Sequence, residues 1–240
     1  MCENCRDGLI GRRDLLKFGA AGLVAIGLGG GIGGARAAEG APTALTPDEA
    51  LAALKAGNAR YVANPELCTL DLAGQRAAVT GHQAPWATVI ACADSRVPPE
   101  LLFGGLGVGE LFVARNAGNL VDTATLGTVE YGAAVLGSPL IVVLAHTACG
   151  AVKAACDVVT RNATYPGAIG PMIEPIVPAA LSVRDEGGDF VTNTAEASAR
   201  RTVARLATDA AILAPRAGDG SLKIVAAIYE LGTGEVRWLD

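Results

Sequence analysis

Apolar runs of strand length alternate with segments of helical spacing along most of the chain. Three of these runs, ATVIACAD, GELFVARNAGN and PLIVVLAHTACG, are continuous enough for buried strands. The final stretch, LKIVAAIYELGTGEVRWLD, predicts a hairpin around Gly232-Thr233-Gly234. Strands that alternate with helices predict an α/β fold, with a mainly parallel central β-sheet, an antiparallel edge strand and flanking helices.

The first helix of the folded part has a clear beginning. Thr46 supplies a capping hydroxyl, Pro47 suits the first helical position, and two acids follow in the first turn. The apolar spacing then predicts a helix to about Asn64. Further helices are predicted at residues 98–104, 123–137, 150–160 and 192–213, and short elements in the proline-rich residues 165–185.

The amino-terminal residues predict an export signal rather than part of the fold. Arg12 and Arg13 precede a glycine- and alanine-rich apolar segment, and Ala35-Arg36-Ala37 follows as a small-residue cleavage pattern. The paired arginines resemble a twin-arginine signal, which predicts a periplasmic or extracellular location. A retained membrane anchor is the alternative, although the many glycines weaken the case for a stable span. The predicted division is therefore a signal peptide (1–37), a leader (38–45) and a single folded domain (46–240), whose chemistry depends on the residues described below.

Composition narrows the classes of function. The 240 residues are 51% hydrophobic and 4% aromatic, which suits a packed α/β domain with small side chains between helices and sheet. The formal net charge of −5 excludes the basic surface of a nucleic-acid-binding protein. Cys2 and Cys5 lie in the predicted signal. Of the other cysteines, a disulfide between Cys68 and Cys156 is conceivable, but no feature of the sequence supports it.

Three residues with soft or borderline metal-binding atoms lie where predicted strands end. Cys92 ends the first strand, His146 ends the third, and Cys149 lies at the start of the following helix. Because open α/β sheets form their clefts at the carboxyl ends of strands, neighbouring strands would bring these side chains together. Two thiolates and one imidazole suit zinc, with a fourth position left open. Spacing alone also allows two buried thiols and a core histidine.

The motifs CADSR and HTACG resemble the zinc site of the β-class carbonic anhydrases, in particular the plant-like branch. The resemblance extends over nearly the whole mature chain, through GELFVARNAGN, the central GTVEYGAAVLGSPLIVVLAHTACGAVKAA and the terminal hairpin. It implies that Cys92, His146 and Cys149 bind one Zn²⁺ per chain. It also implies that Asp94 and Arg96 form the catalytic dyad beside the metal.

The same resemblance implies a set of substrate-binding residues and an assembly. The substrate-binding positions are Gln83, Phe112, Tyr131 and Gly150. Ala117 departs from the family, which often has a larger apolar residue there, so the width of the pocket is open. An ordinary loop role for Gln83 and a core role for Tyr131 remain the alternatives. The resemblance further implies a homodimer or homotetramer, with the first helix packed across the partner and the active sites at the dimer interface.

The charge of the predicted zinc site indicates a role for Asp94 and Arg96. Two thiolates cancel the charge of zinc, so the site needs another group to favour and orient hydroxide. Asp94 can accept a hydrogen bond from that hydroxide, and Arg96 can hold Asp94 ionised and away from the metal. His82, the only histidine besides His146, is a candidate proton shuttle, with an exposed bystander as the alternative. Cys156 fits a small core residue.

Together these features predict a zinc-dependent carbonic anhydrase, a carbonate dehydratase of the lyase class that interconverts carbon dioxide and bicarbonate. A hydrolase of carbonyl sulfide or carbon disulfide on the same scaffold would need the same site residues. A non-catalytic zinc- or bicarbonate-binding module is the alternative from another class. The presence of Asp94, Arg96 and Gln83 together favours the enzyme over that module.

Overall fold

One five-stranded sheet organises the computed structural model, which describes residues 41–64 and 72–239. In chain order its strands are β1 (Ala87–Cys92), β2 (Leu111–Asn116), β3 (Leu140–His146), β4 (Lys223–Tyr229) and β5 (Val236–Leu239). Their order across the sheet is β2-β1-β3-β4-β5. Pairing is parallel from β2 to β4, and only β5 runs antiparallel, beside β4. The predicted fold class, including its antiparallel edge strand, is confirmed.

The chain reverses direction across the sheet between β1 and β3. These two strands are neighbours, although β2 lies between them in sequence on the far side of β1. Their carboxyl ends carry Cys92 and His146, so the predicted adjacency of the two residues is confirmed. A switch point of this kind opens a crevice between the loops that leave the two strands.

Helices cover both faces of the sheet. In chain order they are α1 (Pro47–Ala63), α2 (Leu72–Ala78), α3 (Pro99–Leu102), α4 (Thr123–Ala134), α5 (Gly150–Arg161), α6 (Ile169–Ile173), α7 (Val177–Ser182), α8 (Phe190–Thr208) and α9 (Leu213–Gly218). One buried cluster joins α4, α5 and α8 to one face of the sheet. A second joins α1, the segment after α3 and β5 to the other face. The two central strands β1 and β3 are buried along their whole length, which explains their continuous apolar sequence.

Helix α1 begins as its sequence predicts and packs on its own chain. Thr46 and Glu49 form a reciprocal capping box at its amino end. Leu54 is fully buried, and the buried Asn58 donates to the carbonyl oxygens of Leu102 and Gly234 at 3.0 and 2.9 Å. Asn58 also accepts from the amide of Val236. Only the outward face of α1 is therefore left to contact a partner in the way that the resemblance implies.

One predicted helix is divided in the structure, and one helix of the structure was not predicted. The spacing predicts one helix over residues 192–213, but α8 ends at Thr208 and α9 starts separately at Leu213. Pro215 lies in the first turn of α9, where its missing N–H is tolerated, whereas it could not continue α8 without losing a helical hydrogen bond. Helix α2 was not predicted, because none of its residues is buried and it has no apolar stripe. The proline-rich segment forms short elements as predicted.

The predictions for the export signal, for Cys2, Cys5 and for Cys68 fall outside the described residues, and they stay predictions. Within the described ranges, no helix combines the length and the apolar character that a membrane crossing requires. Cys92, Cys149 and Cys156 are buried and are not joined in disulfides.

Candidate metal centre

The three predicted metal ligands converge at the carboxyl edge of the sheet. Cys92 is the last residue of β1, His146 is the last residue of β3, and Cys149 is the N-cap of α5. Their ligand atoms all lie within 4.8 Å of one another, and all three residues are buried. Among the described residues, no other group of three histidine, cysteine or acidic side chains is placed to hold a metal.

The imidazole of His146 is held with one nitrogen ready for a metal. Its Nδ1 lies 2.9 Å from the carbonyl oxygen of Thr147. A carbonyl only accepts, so Nδ1 carries the proton and Nε2 keeps its lone pair. Nε2 is the one buried side-chain nitrogen or oxygen in the described part of the chain without a hydrogen-bond partner. A buried acceptor left unpaired next to two thiols fits a bound zinc ion.

The two thiols cannot both be ionised easily without a cation between them. Their Sγ atoms lie 3.9 Å apart. The hydrogen bond from Cys149 lowers the pKa of Cys92 to about 3, with further help from His146 and from backbone amides. The same shared proton, together with burial, raises the pKa of Cys149. A bound divalent cation would replace the shared proton and ionise both sulfurs.

The loop after β2 supports Cys92 through its backbone. The amide of Gly118 donates to Cys92 Sγ at 3.3 Å. Gly118 has a φ of 84°, and a Cβ there would come within 3.1 Å of Ile176 and 3.2 Å of Ala151. Glycine is therefore needed at this position both for the left-handed backbone and for space. On the other side of the site, Ala148 adopts a φ of 53° between His146 and Cys149, a conformation that costs a non-glycine residue free energy.

The predicted dyad is formed as a bidentate ion pair. Arg96 Nε donates to Asp94 Oδ1 at 2.9 Å, and Arg96 Nη2 donates to Oδ2 at 2.7 Å. The backbone amide of Arg96 also donates to Oδ1. These contacts, the guanidinium first, hold the pKa of Asp94 well below its usual range. Asp94 Oδ2 lies 3.9 Å from His146 Nε2, so the carboxylate faces the ligand group while it stays bound to Arg96.

A second arginine holds the loop that carries Asp94. Arg115 donates from Nε to the carbonyl oxygen of Cys92 at 2.9 Å and from Nη2 to that of Asp94 at 2.7 Å. Its targets are backbone atoms 23 and 21 residues away, so no side-chain pattern could have identified them. The hydrogen bond between His146 Nδ1 and the carbonyl oxygen of Thr147 could not be predicted for the same reason.

The predicted substrate-binding residues do not all lie at the carboxyl edge of the sheet. Gly150 is the first residue of α5, directly after Cys149. Gln83 lies four residues before β1, at the opposite, amino edge of the sheet, and neighbours the exposed His82. Phe112 pairs in register with Thr88, four residues and about 13 Å before Cys92. Its ring lies 6.1 Å from that of Tyr131, which is 39% exposed. Within one chain, Gln83, Phe112 and Tyr131 are thus apart from the three ligands.

Ala117, which stands where a larger side chain was expected, is partly buried next to Gly118 in the loop after β2. It therefore lies at the same edge of the sheet as Cys92. Cys156, predicted as a core residue, is 3% exposed on α5 and donates to Thr194. It takes no part in the metal group.

Comparisons with known proteins agree with this geometry. Residues 87–236 match the family model described as carbonic anhydrase. Carbonic anhydrase 2 of Mycobacterium tuberculosis is 38% identical over 194 residues, which cover 81% of this chain and 93% of that protein. The carbonic anhydrase of Mycolicibacterium smegmatis is 39% identical over 191 residues, which cover 80% and 92%. The solved β-carbonic anhydrase of Coccomyxa, in complex with acetazolamide, has a TM-score of 0.61 and 28% identity, covering 70% of this chain and 77% of that one.

Proposed function

The chain belongs to the β-class carbonic anhydrases, and from this premise we propose that it hydrates carbon dioxide to bicarbonate and a proton at a zinc site formed by Cys92, His146 and Cys149. The observation that carries the proposal is the buried, unpartnered Nε2 of His146 among the three ligand atoms. Three protein ligands leave a position open, as catalytic zinc sites do.

Zinc, when bound, lowers the pKa of a coordinated water and so supplies hydroxide near neutral pH. The residues around it orient the reaction. Asp94 faces the ligand group and would accept a hydrogen bond from a hydroxide bound there, which would orient that hydroxide toward carbon dioxide. Arg96 fixes both carboxylate oxygens of Asp94, which keeps the carboxylate ionised and restrains it from reaching the metal itself. Cys92 and Cys149, as thiolates, would hold the metal together with His146.

Among the alternatives, hydration of carbon dioxide is favoured over hydrolysis of carbonyl sulfide or carbon disulfide. The relatives that match along more than nine-tenths of their length are carbonic anhydrases by name. The intact Asp94–Arg96 pair beside the ligands argues against a binding module without catalysis. Stopped-flow assays of the zinc-loaded protein with carbon dioxide and with carbonyl sulfide test the choice. Faster turnover of carbonyl sulfide, or no turnover of carbon dioxide, would refute it.

We also propose a homodimer or homotetramer in which the active sites lie at the interface between copies. Its support is that Gln83, Phe112 and Tyr131 lie away from the ligands of their own chain. Strand β2 is an edge strand, and the aromatic pair on β2 and α4 is accessible there. A second copy could bring these residues to the metal as the plant-like resemblance implies. Light scattering of the zinc-loaded protein tests the assembly, and a monomer at assay concentration would contradict it.

We further propose export of the chain through the twin-arginine signal in residues 1–37, with the mature protein starting near Ala38. The support is the order of Arg12-Arg13, apolar segment and Ala35-Arg36-Ala37 in the sequence. Amino-terminal sequencing of the exported form tests it. An intact amino terminus on membrane-bound protein would instead indicate an anchor.

A further inference from the structure

A cavity of about 380 Å³ lies between the loop after β2 and helix α8, outside the metal centre. Its volume is within the range of small-molecule sites. None of the three metal ligands, nor Asp94 or Arg96, is among its lining residues. Its polar lining residues are Asn116, Asp122, Ser198, Arg201, Thr202 and Arg205.

Two guanidinium groups line this cavity without an acidic partner. Arg201 and Arg205 are one helical turn apart on α8, and neither forms an ion pair within the described residues. Asp209 is four residues after Arg205, but it accepts from the hydroxyl of Thr208 at 2.7 Å instead. Like charges at this spacing repel each other and destabilise the helix slightly. An anion between them would offset that repulsion.

Three other helical cations of this chain do have acidic partners. Arg200, the neighbour of Arg201 on the same helix, pairs with Glu196 at 3.3 Å. Lys153 and Arg161 on α5 both pair with Asp157, four residues away in each case. Arg201 and Arg205 differ from these three cations, because neither forms an ion pair among the described residues.

The remaining polar groups of the cavity add a donor and little negative charge. Ser198 lines the cavity with a hydroxyl that is not fully enclosed and that has no hydrogen-bond partner among the described residues. Thr202 is already satisfied, because its hydroxyl donates to the carbonyl oxygen of Ser198. Asp122 is the one acid of the lining, and its carboxylate already accepts from the amide of Thr125 at 2.8 Å as the N-cap of α4. The cavity thus has donors and positive charge in excess.

The rest of the cavity lining, apart from Asn116, is apolar. It consists of Leu120, Val121, Ala168, Pro171, Met172 and Pro175. We propose that the cavity binds a small organic oxyanion, whose phosphate or carboxylate group contacts Arg201, Arg205 and Ser198 and whose apolar body packs on this apolar lining. Arginine favours such groups because its planar fork matches two oxygens of one anion.

The cavity adjoins the loop after β2, which also contacts the metal centre. Its wall includes Asn116, which holds the loop by accepting from the amide of Leu120 at 2.6 Å and donating to the carbonyl oxygen of Leu120 at 2.7 Å. Gly118 in the same loop donates to Cys92. The proposed binding nevertheless does not depend on the proposed hydratase activity, because none of its contacts is a metal ligand or a member of the dyad.

Titration calorimetry of the zinc-loaded protein with phenyl phosphate tests the proposal, with inorganic phosphate and benzyl alcohol as the matched anion and the matched apolar body. We expect one phenyl phosphate per chain, weaker binding of inorganic phosphate and no measurable binding of benzyl alcohol. Exchanging both arginines in Arg201→Gln/Arg205→Gln should weaken binding of phenyl phosphate at least about tenfold. Arg200→Gln, on the same helix but outside the cavity, should leave it unchanged.

Several results would overturn the site. They are equal binding in the double variant and the wild type, equal loss in Arg200→Gln, or no binding of phenyl phosphate by the wild type. Zinc content and carbon dioxide hydration of the double variant should stay at wild-type values, which shows that the chain is folded. If the double variant does not fold, Arg205→Gln alone is measured against Arg200→Gln, with the same expected loss and the same refuting result. A carboxylate in place of the phosphate, such as phenylacetate, distinguishes the two oxyanion types.

Discussion

The Sγ atoms of Cys92 and Cys149 lie 3.9 Å apart, although the two residues are separated by 57 positions in the sequence. One ends a core strand and the other caps the helix that follows the neighbouring strand. At this distance one proton is shared, which lowers the pKa of Cys92 and raises that of Cys149. Full ionisation of both sulfurs therefore requires a cation between them. Removal of either sulfur should weaken the binding of that cation.

Replacing Cys149 should abolish metal binding. In Cys149→Ala one of two thiolates is lost, and we expect zinc per chain to fall from about one to near zero, with loss of carbon dioxide hydration. Metal analysis after dialysis measures the first effect. Cys156→Ala is the matched control, because Cys156 is equally buried on the same helix but outside the metal group. Full zinc content in Cys149→Ala would exclude the proposed ligand set.

Replacing Asp94 should separate catalysis from metal binding. Asp94→Asn keeps the shape of the side chain but loses the charge that accepts from the nucleophile, so we expect normal zinc content and a fall in kcat of about 10²-fold or more. Asp157→Asn serves as control, since Asp157 is also ion-paired but lies on the surface of α5. An unchanged kcat in Asp94→Asn would mean that Asp94 only shapes the loop.

Arg96 should act on the reaction only through Asp94. Without its guanidinium, Asp94 loses both side-chain contacts and becomes free to approach the metal. We expect Arg96→Ala to lower kcat while zinc affinity, measured by competition with a chelator, stays equal or increases. Arg96→Lys should recover only part of the rate, because an ammonium cannot hold both carboxylate oxygens in one plane. Lower zinc affinity together with lower kcat would contradict the restraining role.

Much of the fold and the metal group could be predicted, because they depend on local patterns. Apolar runs identified the strands, and the positions of Cys92 and His146 at strand ends placed both at one edge of the sheet. The contacts that orient them could not be predicted in the same way. Arg115 binds carbonyl oxygens, and the tautomer of His146 depends on the carbonyl of Thr147. Backbone acceptors are present at every residue, so sequence does not distinguish those that are used.

The placement of Gln83, Phe112 and Tyr131 shows a different limit. Their assignment came from spacing relative to the metal ligands within a family resemblance. Spacing along the chain does not reveal at which edge of the sheet a residue lies, or whether its partner is in the same chain. Likewise the helical spacing of residues 192–213 continues through the break after Thr208, where the boundary depends on the proline of the next helix.

Gly118 should be required for metal affinity although it has no side chain. In Gly118→Ala the new Cβ would be strained at a φ of 84° and crowded by Ile176 and Ala151, so the amide that donates to Cys92 would shift. We expect weaker zinc binding in chelator competition and a lower Tm. Gly127→Ala is the control: it lies within α4 with nothing within 4 Å of a Cβ, and should raise stability by about 0.5–1 kcal/mol. Unchanged zinc affinity in Gly118→Ala would refute the role of that amide.

Asp189 should stabilise helix α8 in a pH-dependent way. Its carboxylate caps the helix by accepting from the hydroxyl and the amide of Thr192, which lowers the pKa of Asp189. At pH 7 we expect Asp189→Ala to lower the free energy of unfolding by about 1 kcal/mol and Asp189→Asn, which caps without charge, by less. Because the pKa is depressed in the folded state, the advantage of aspartate over asparagine is complete above the ordinary value of 3.8 and is lost as the pH falls through the lower folded value. Urea unfolding of both proteins from pH 7 downward measures this difference, and a difference that does not change with pH would show that the charge of Asp189 contributes nothing.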